Sequence, residues 1–522
     1  MKIILNLKNS ASGWDGFQAI VIKEIKSAIV HPIMHLCNLS FATGVFPKEL
    51  KLAYVVPLFK SGDDMVFTNY RPVSILPLIS KILERLMYNR LLSFLNKHNV
   101  TYHYQFGFRQ KFAIYMALLT LVDKISNALD KGEKVIGIFL DFSKAFDTVD
   151  HTILLSKLEF YGVRGTPLNW FKDYLYDREQ FVSYQGFKSS KAKLTCGVPQ
   201  GSILGPLLFI LYINDLATVA PRAFALLFAD DTSLFYSGKD IDEITQTINE
   251  ELRFISEWLQ TNKLSLNVGK TNYIIFTRGN SRINDANLMI KNTSVQRVFS
   301  TKFLGVYIDS QLCWKDHIKY ISTKLSKCTG ILSKARCYLR KESLQNLYYT
   351  FAYPYFSYCN IVWGNACHSY LNQIMKLQKR LIRLINFSAY LAHTAPLFKK
   401  CNILNVYQIH DYSTAIFMFK FTKCELPHTF SNMFLTNSSI HQYSTRRSTD
   451  YHIPKCHSSV LQKATRYYGA ILWNSIPSNI KQCNTLPSLK NHTSKNSCIP
   501  LTIDCPGDVS FYYMLPLIIL SY

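Results

Sequence analysis

Acidic residues are scarce in this sequence, and scarcest where basic ones are most frequent. Against 59 Lys and Arg stand 34 Asp and Glu, a formal net charge of +25 over 522 residues. The deficit is local: residues 311 to 500 hold 24 Lys and Arg but 5 Asp and Glu, a net +19, and the rest of the chain is left at +6. So lopsided a segment calls for a polyanionic partner. A phosphate backbone comes first, because each neutralised phosphate releases counterions, and a membrane surface second. Paired cysteines are also missing. The 13 cysteines, from Cys37 to Cys505, form no Cys-x2-Cys unit, which argues against a disulfide scaffold and reads as reduced intracellular thiols. Cys359, Cys367 and His368, or Cys456 and His457, are too loosely spaced for a zinc site. Long apolar runs are lacking too: Met1 to Asn6 is too short for a secretory signal and Tyr512 to Tyr522 too short to span a bilayer, so no membrane partner is expected from them. No dense basic import run stands out, Lys379-Arg380 and Arg446-Arg447 being sparse. At 48% hydrophobic residues the chain is neither disordered nor fibrous, and its length allows a large core and more than one domain.

What is present begins with Asp230 and Asp231, side by side in Phe228-Ala229-Asp230-Asp231, with Leu226-Leu227 before and Ser233-Leu234-Phe235-Tyr236 after. Taken alone, an Asp-Asp pair is ordinary turn chemistry. At the tip of a short apolar hairpin, however, adjacent carboxylates repel each other and resist burial, and shared divalent cations would relieve both problems. A further acid closes the apolar strand Val135-Ile136-Gly137-Ile138-Phe139-Leu140-Asp141. If Asp141 sits beside Asp230, the two can bridge a pair of Mg2+ ions about 4 Å apart, the geometry of in-line nucleotidyl transfer.

Seven blocks carry a resemblance. In order they are Asn69-Tyr70-Arg71-Pro72-Val73-Ser74, Gln105-Phe106-Gly107-Phe108-Arg109, Asp141-Phe142-Ser143-Lys144-Ala145-Phe146-Asp147, Gly197-Val198-Pro199-Gln200-Gly201-Ser202, Phe228-Ala229-Asp230-Asp231, Leu264-Ser265-Leu266-Asn267-Val268-Gly269-Lys270-Thr271 and Lys302-Phe303-Leu304-Gly305-Val306. Over about residues 40 to 310 the chain resembles the reverse transcriptase of non-LTR (LINE-type, jockey- or CR1-like) retrotransposons. The resemblance implies an α+β fold of the right-hand polymerase type, with fingers, palm and thumb, and a mainly helical basic C-terminal region. It divides the chain into a truncated lead-in over 1–39, a reverse transcriptase domain of fingers and palm over 40–310, thumb-like basic helices over 311–399, and a C-terminal region over 400–522.

Periodicity fills in the elements. A strand over Leu52 to Leu58, a polar loop from Lys60 to Asn69 and an amphipathic helix from Ile75 to Asn96 come first. From 135 to 277 the pattern reads strand, helix, helix, hairpin, helix, strand, and residues 298 to 308 read as a tight hairpin. Ile318, Ile321, Leu325, Cys328, Leu332, Ala335 and Leu339 make one helical stripe, and Leu371, Ile374, Leu377, Leu381 and Leu384 another, both flanked by Lys and Arg. Residues 400 to 497 offer no motif. After Asp508 the tail turns uncharged and apolar, as a buried strand or a functionless out-of-frame extension.

By the resemblance, Asp141 and Asp230 are the metal-bridging carboxylates, with Asp231 a weaker or outer-sphere contributor, and two Mg2+ ions (or Mn2+) are the cofactors. Phe146 is the plate under the sugar that excludes a ribose 2'-hydroxyl. Gln200 and Gly201 lie against the templating base and the incoming nucleotide. Arg71, with Lys60, holds the triphosphate, a planar guanidinium gripping phosphate from two directions. Lys270 could protonate the leaving pyrophosphate, Arg109 contacts the template backbone, and the hairpin Phe303-Leu304-Gly305 grips the primer end. Asp147 and Asp150 are read as caps of the helix beginning near His151. The partners implied are an RNA template, a DNA primer and deoxynucleotides. A nuclear site with a cytoplasmic ribonucleoprotein stage is implied as well, while oligomeric state is open. Full-length relatives carry an endonuclease ahead of the polymerase, and with only residues 1–39 before the fingers, nicking is expected to be absent here. Two other classes stay open: a catalytically silent remnant that binds RNA, and a maturase-like RNA-binding protein.

Overall fold

The computed structural model describes residues 1–9, 11–279, 284–440, 447–483 and 485. The apolar tail beyond Asp508 and Arg446 lie outside the described residues. A helix over Lys26–Thr43 (α1), ended by Gly44 in the left-handed conformation, runs through position 39, where the sequence had suggested a boundary. The hairpin of Leu52–Phe59 (β1) and Tyr70–Ile75 (β2) follows, then helices over Leu78–Lys97 (α2) and Ile114–Asp130 (α3). Lys134–Leu140 (β3) leads into helices His151–Phe160 (α4) and Thr166–Leu175 (α5), and then into three short strands, Glu179–Tyr184 (β4), Phe187–Lys188 (β5) and Ala192–Lys193 (β6). Next come helix Gly205–Tyr212 (α6), the hairpin Phe224–Phe228 (β7) and Asp231–Gly238 (β8), helix Ile241–Thr261 (α7) and strand Asn272–Phe276 (β9). Gln296–Arg297 (β10) and the hairpin Ser300–Phe303 (β11) with Val306–Asp309 (β12) complete the strands used below. Four longer helices dominate the C-terminal part of the chain: Lys315–Ala335 (α8), His368–Ile385 (α9), Val406–Thr422 (α10) and Thr465–Ser475 (α11). The mixture of helix and sheet is of the α+β kind.

The central sheet has the order β10-β9-β3-β8-β7. Its middle strand is apolar from Val135 to Leu140 because both faces are covered there. Val135 and Phe139 join Phe235, Ile274 and Phe276 in one core. Ile136, Ile138 and Leu140 join Leu234, Tyr236, Tyr273 and Ile275 in the other. Between them Gly137 leaves room for Phe235, whose ring would stand 2.6 Å from an added Cβ. Helix α6, apolar all round, is correspondingly buried at every position but Pro206.

Two departures from the sequence reading stand out. Strand β4 was expected nowhere, yet it pairs in parallel with β1 and ties residues 179–193 to the β1–β2 hairpin. Its short, polar, half-exposed segments carry too little periodicity to be read. The second apolar stripe is also shifted. In α9 the buried positions are Leu371, Ile374, Gln378, Leu381, Ile382 and Ile385, with Leu377 and Leu384 half-buried. Gln378 takes a core position because all its polar atoms are used: it donates to Tyr348 Oη (3.0 Å) and Leu404 O (2.9 Å) and accepts from Val406 N (2.9 Å). Residues 400–440 and 447–483, silent as sequence, pack into the first core through Ile409, Phe417 and Trp473. They are clamped to α3 by Arg466, which grips both oxygens of Asp123 at 2.6 and 2.7 Å. Among the described residues no helix is long and apolar enough to cross a membrane.

Candidate active site

Three carboxylates meet at one end of the central sheet because the ladder brings them there. The β3–β8 register ends with Leu140 opposite Thr232, so the next step sets Asp141 across from Asp231, with Asp230 beside it in the turn. That turn is two residues long, since Phe228 pairs with Asp231, and Ala229 bends it with a φ of 54°. The left-handed region is unfavourable for alanine and persists only when neighbours impose it. Gln105 is the neighbour: its Oε1 accepts from Gly107 N at 2.8 Å and Ala229 N at 3.1 Å. Phe106 N donates to Leu227 O (2.8 Å) and Leu227 N to Tyr104 O (3.0 Å), so this segment runs along β7. The approach is so close that a Cβ on Gly107 would lie 2.4 Å from Ala229 N.

Asp230 and Asp231 are open to solvent, yet the protein around them displaces much of their water. Desolvation first, and the nearby Asp141 charge, raise Asp230 above the usual carboxylate range, while Arg71 and Lys60 pull it back. Desolvation first, then the charges of Asp230 and Asp141, push Asp231 up to about 7 against the opposing pull of Lys60. Because water reaches both acids, it weakens both the desolvation and the repulsion, and the upward direction is what remains. Among the described residues no three His, Cys, Asp or Glu side chains are gathered tightly enough to hold an ion by themselves. Mg2+, however, is commonly held by one or two carboxylates together with substrate phosphates, and exposed, mutually repelling oxygen donors fit that use.

The cations that face these acids come from the β1–β2 hairpin. Leu58 pairs with Arg71, and Lys60 N donates to Asn69 O (2.8 Å), so Lys60 and Arg71 share one face of it. Arg71 Nε donates to Gln200 Oε1 at 3.4 Å, and Gln200 Nε2 to Asp147 Oδ1 at 2.9 Å. Ser74 N also donates to Gln200 O (2.7 Å), and Gly201, at φ +124°, lies where a Cβ would stand 2.3 Å from Ser74 O. The expected Arg71, Gln200 and Gly201 are thus brought together. Asp147 corrects the sequence reading: only Asp150 caps α4, accepting from Ile153 N at 3.0 Å and from Lys263 at 2.6 Å. A cap acts from the position just before the helix, and Asp147 is three residues too early.

Phe146 lies half-buried, stacked on Phe209 at 4.4 Å and edge-on to the exposed Phe108 at 6.3 Å. A strap from 264 to 271 holds the other side of Asp141: Asn267 N donates to Asp141 O (2.8 Å), and Asp141 N to Thr271 Oγ1 (3.4 Å). Lys270 is exposed at its end and is not among the charges acting on Asp231. Arg109 turns inward, donating to Tyr102 O (3.0 Å) and Gln105 O (3.2 Å) and stacking over Phe112 at 4.2 Å. In the β11–β12 hairpin, Phe303 is 4% exposed and packs on Phe139 (5.5 Å), so its side chain belongs to the core. The accessible part is the turn, Leu304 (φ 47°) and Gly305 (φ 83°), a two-residue reversal of the type favoured in hairpins. Tyr358 braces it, its hydroxyl donating to Leu304 O at 2.8 Å.

Two residues escaped the sequence reading. Gln105 sat inside a recognised block without a role. Glu84, fully buried in α2, accepts from Ile203 N (2.6 Å), Tyr174 Oη (3.2 Å) and Ser80 Oγ (3.4 Å), anchoring the chain just after Gly201. Burial raises its pKa and the charge of Arg178 opposes the rise. Its signal was present: an acid one position after Leu83 and three before Met87, on the apolar face of a helix.

A family model described as reverse transcriptase (RNA-dependent DNA polymerase) matches residues 60–324, just over half of the chain. The RNA-directed DNA polymerase from mobile element jockey of Drosophila melanogaster is 30% identical over 399 residues, 74% of this chain and 43% of the relative. Its counterpart from Drosophila funebris is 28% identical over 407 residues, 75% of this chain and 44% of the relative. A Drosophila melanogaster protein described as probable RNA-directed DNA polymerase from transposon X-element is 28% identical over 425 residues, 79% and 46% respectively. The chain spans under half the length of these relatives.

Proposed function

This chain belongs to the reverse transcriptase (RNA-dependent DNA polymerase) family, and from that premise we propose that it is the polymerase portion of a non-LTR retrotransposon protein, copying RNA into DNA from a primer 3'-hydroxyl. The observation that carries the reading is the meeting of Asp141, Asp230 and Asp231 at one sheet end, opposite Lys60 and Arg71. Three mutually repelling acids within the influence of two cations suit a polyphosphate whose metal-bound side meets the acids and whose free oxygens meet the bases.

In this reading the β1–β2 hairpin belongs to the fingers, the central sheet to the palm, and α8 and α9 to the thumb. Asp141 and Asp230, with Asp231 supporting, would hold two Mg2+ ions, which when bound lower the pKa of the primer hydroxyl and neutralise the departing pyrophosphate. Arg71 grips the triphosphate with a fork that Gln200 already orients. Phe146 underlies the sugar from its stack on Phe209. Gly201 lets the backbone come close to the nascent pair. The Leu304–Gly305 turn presents its backbone to the primer end, with Lys302 and α8 beside it. Arg109 supports the template side from its internal position, and Lys270 serves the leaving group from the mobile end of its long side chain.

The test is extension of oligo(dT) on poly(rA) with dTTP and Mg2+, comparing the chain with Asp230→Ala. Extension that vanishes in the variant supports RNA-templated DNA synthesis at this site. Absence of extension by a folded, RNA-binding wild type would overturn it.

A further inference from the structure

Helices α8 and α9 end at the same tip. The Arg336 guanidinium, just past the end of α8, lies over the Phe387 ring, just past the end of α9, at 5.5 Å. The segment after α9 is ordered from within: Arg383 Nε donates to Ala392 O (2.8 Å), Ser388 N to Arg383 O (3.0 Å) and Ala392 N to Ala389 O (3.1 Å). Despite that order it turns its largest apolar side chains outward, Tyr390 at 75% and Leu391 at 85% exposure, and the neighbouring segment does the same with Tyr338 at 88%. These are the three most exposed large apolar side chains among the described residues after 311. The same two stretches, 331–342 and 381–392, carry Lys334, Arg340, Lys341 and the two arginines already named, against one acid, Glu342.

We infer that this tip is a binding surface for an unpaired nucleic-acid strand. Outstanding aromatic rings offer faces on which bases stack, and interleaved cations neutralise the phosphates between them. A duplex keeps its base faces inside its own stack and can use only the charge. A protein partner would need acidic groups to match this rim, so the charge favours the polyanion. The surface uses none of the residues of the acid cluster and does not depend on polymerisation.

The test is fluorescence anisotropy of the full chain with labelled strands of about 16 nucleotides, as single-stranded RNA, single-stranded DNA and blunt duplex. Tyr338→Ala with Tyr390→Ala is expected to weaken single-strand binding about tenfold or more, while Tyr338→Phe with Tyr390→Phe restores it and duplex binding moves less than about twofold. Whichever of RNA and DNA loses more identifies the strand served. An unchanged affinity, an equal loss on duplex, or a wild-type dimer that the alanine pair dissociates would overturn the proposal. Both tyrosines are exposed and binding needs no incorporation, so the outcome stands whether or not the chain polymerises.

Discussion

The turn that carries Asp230 and the turn that carries Gly305 solve one problem for different ends. Each reverses a hairpin in two residues, the first with positive φ at Ala229, the second with positive φ at Leu304 and Gly305. Each is braced by a side chain remote in sequence: Gln105 accepts from Ala229 N, and Tyr358 donates to Leu304 O. They differ in what they display. The first presents charge that repels itself and needs a counter-charge from outside. The second presents backbone, with its aromatic, Phe303, turned into the core. The acid turn must therefore be held against its own electrostatics, while the backbone turn needs only to be held in place. Disturbing the brace should matter more at the first than at the second.

The sharpest way to break that comparison is Gly107→Ala. Its Cβ would meet Ala229 N at 2.4 Å, a backbone atom that can move only by shifting the acid turn. A displacement of about 1 Å costs roughly a hundredfold in incorporation, measured as single-nucleotide addition, with template binding kept. Gln105→Ala is the milder version. It leaves Gly107 N and Ala229 N without their acceptor, a cost of about 1–3 kcal/mol, and should slow incorporation by about tenfold or more. At the other turn, Tyr358→Phe keeps the ring and removes the hydroxyl's hydrogen bond to Leu304 O, worth about 1 kcal/mol. KM for the primer end should rise about severalfold, with kcat little changed, in steady-state extension.

The smallest effect concerns pH. His317 braces the second strand of the backbone hairpin, its Nδ1 accepting from Tyr307 N at 3.4 Å. Burial first, and the charge of Lys302 second, hold it down at about 3 against an ordinary 6.5. The unfolded chain takes up near pH 6.5 a proton that the folded chain refuses until about pH 3. Stability from this source is therefore full above 6.5 and is lost as pH falls from 6.5 toward 3. His317→Asn keeps an acceptor without the titration, and denaturant unfolding at stepped pH should show a shallower fall over that window.

What could be read from sequence were the features whose cause is local. The apolar run ending in Asp141 and the two hairpins announce themselves in consecutive residues and fold as read, whereas the α8 stripe is buried only from Ile318 to Leu332 and the helix ends at Ala335, leaving Leu339 outside it. Long-range causes were invisible. Asp147 looks like a helix cap until Gln200, far along the chain, claims it. Glu84 stands on the apolar face of α2, but the groups that hold it there, Ile203 N and Tyr174 Oη, lie far along the chain. Residues 457–475 carry no motif because their work is to close a core: Arg466 meets Asp123, and His457 N and Ser458 Oγ meet Asp130 at 2.8 and 2.7 Å.

The central claim is that Asp141 and Asp230 act as one unit on the reacting phosphate. Single-turnover incorporation of one dTMP by Asp141→Asn, Asp230→Asn and the double variant, each with template and primer bound, tests it most directly. The account predicts that either single change lowers the rate by about a thousandfold or more, several kcal/mol of charge stabilisation, and that the double variant is scarcely worse. Losses that simply multiply, or a single variant within about tenfold of wild type, would contradict it.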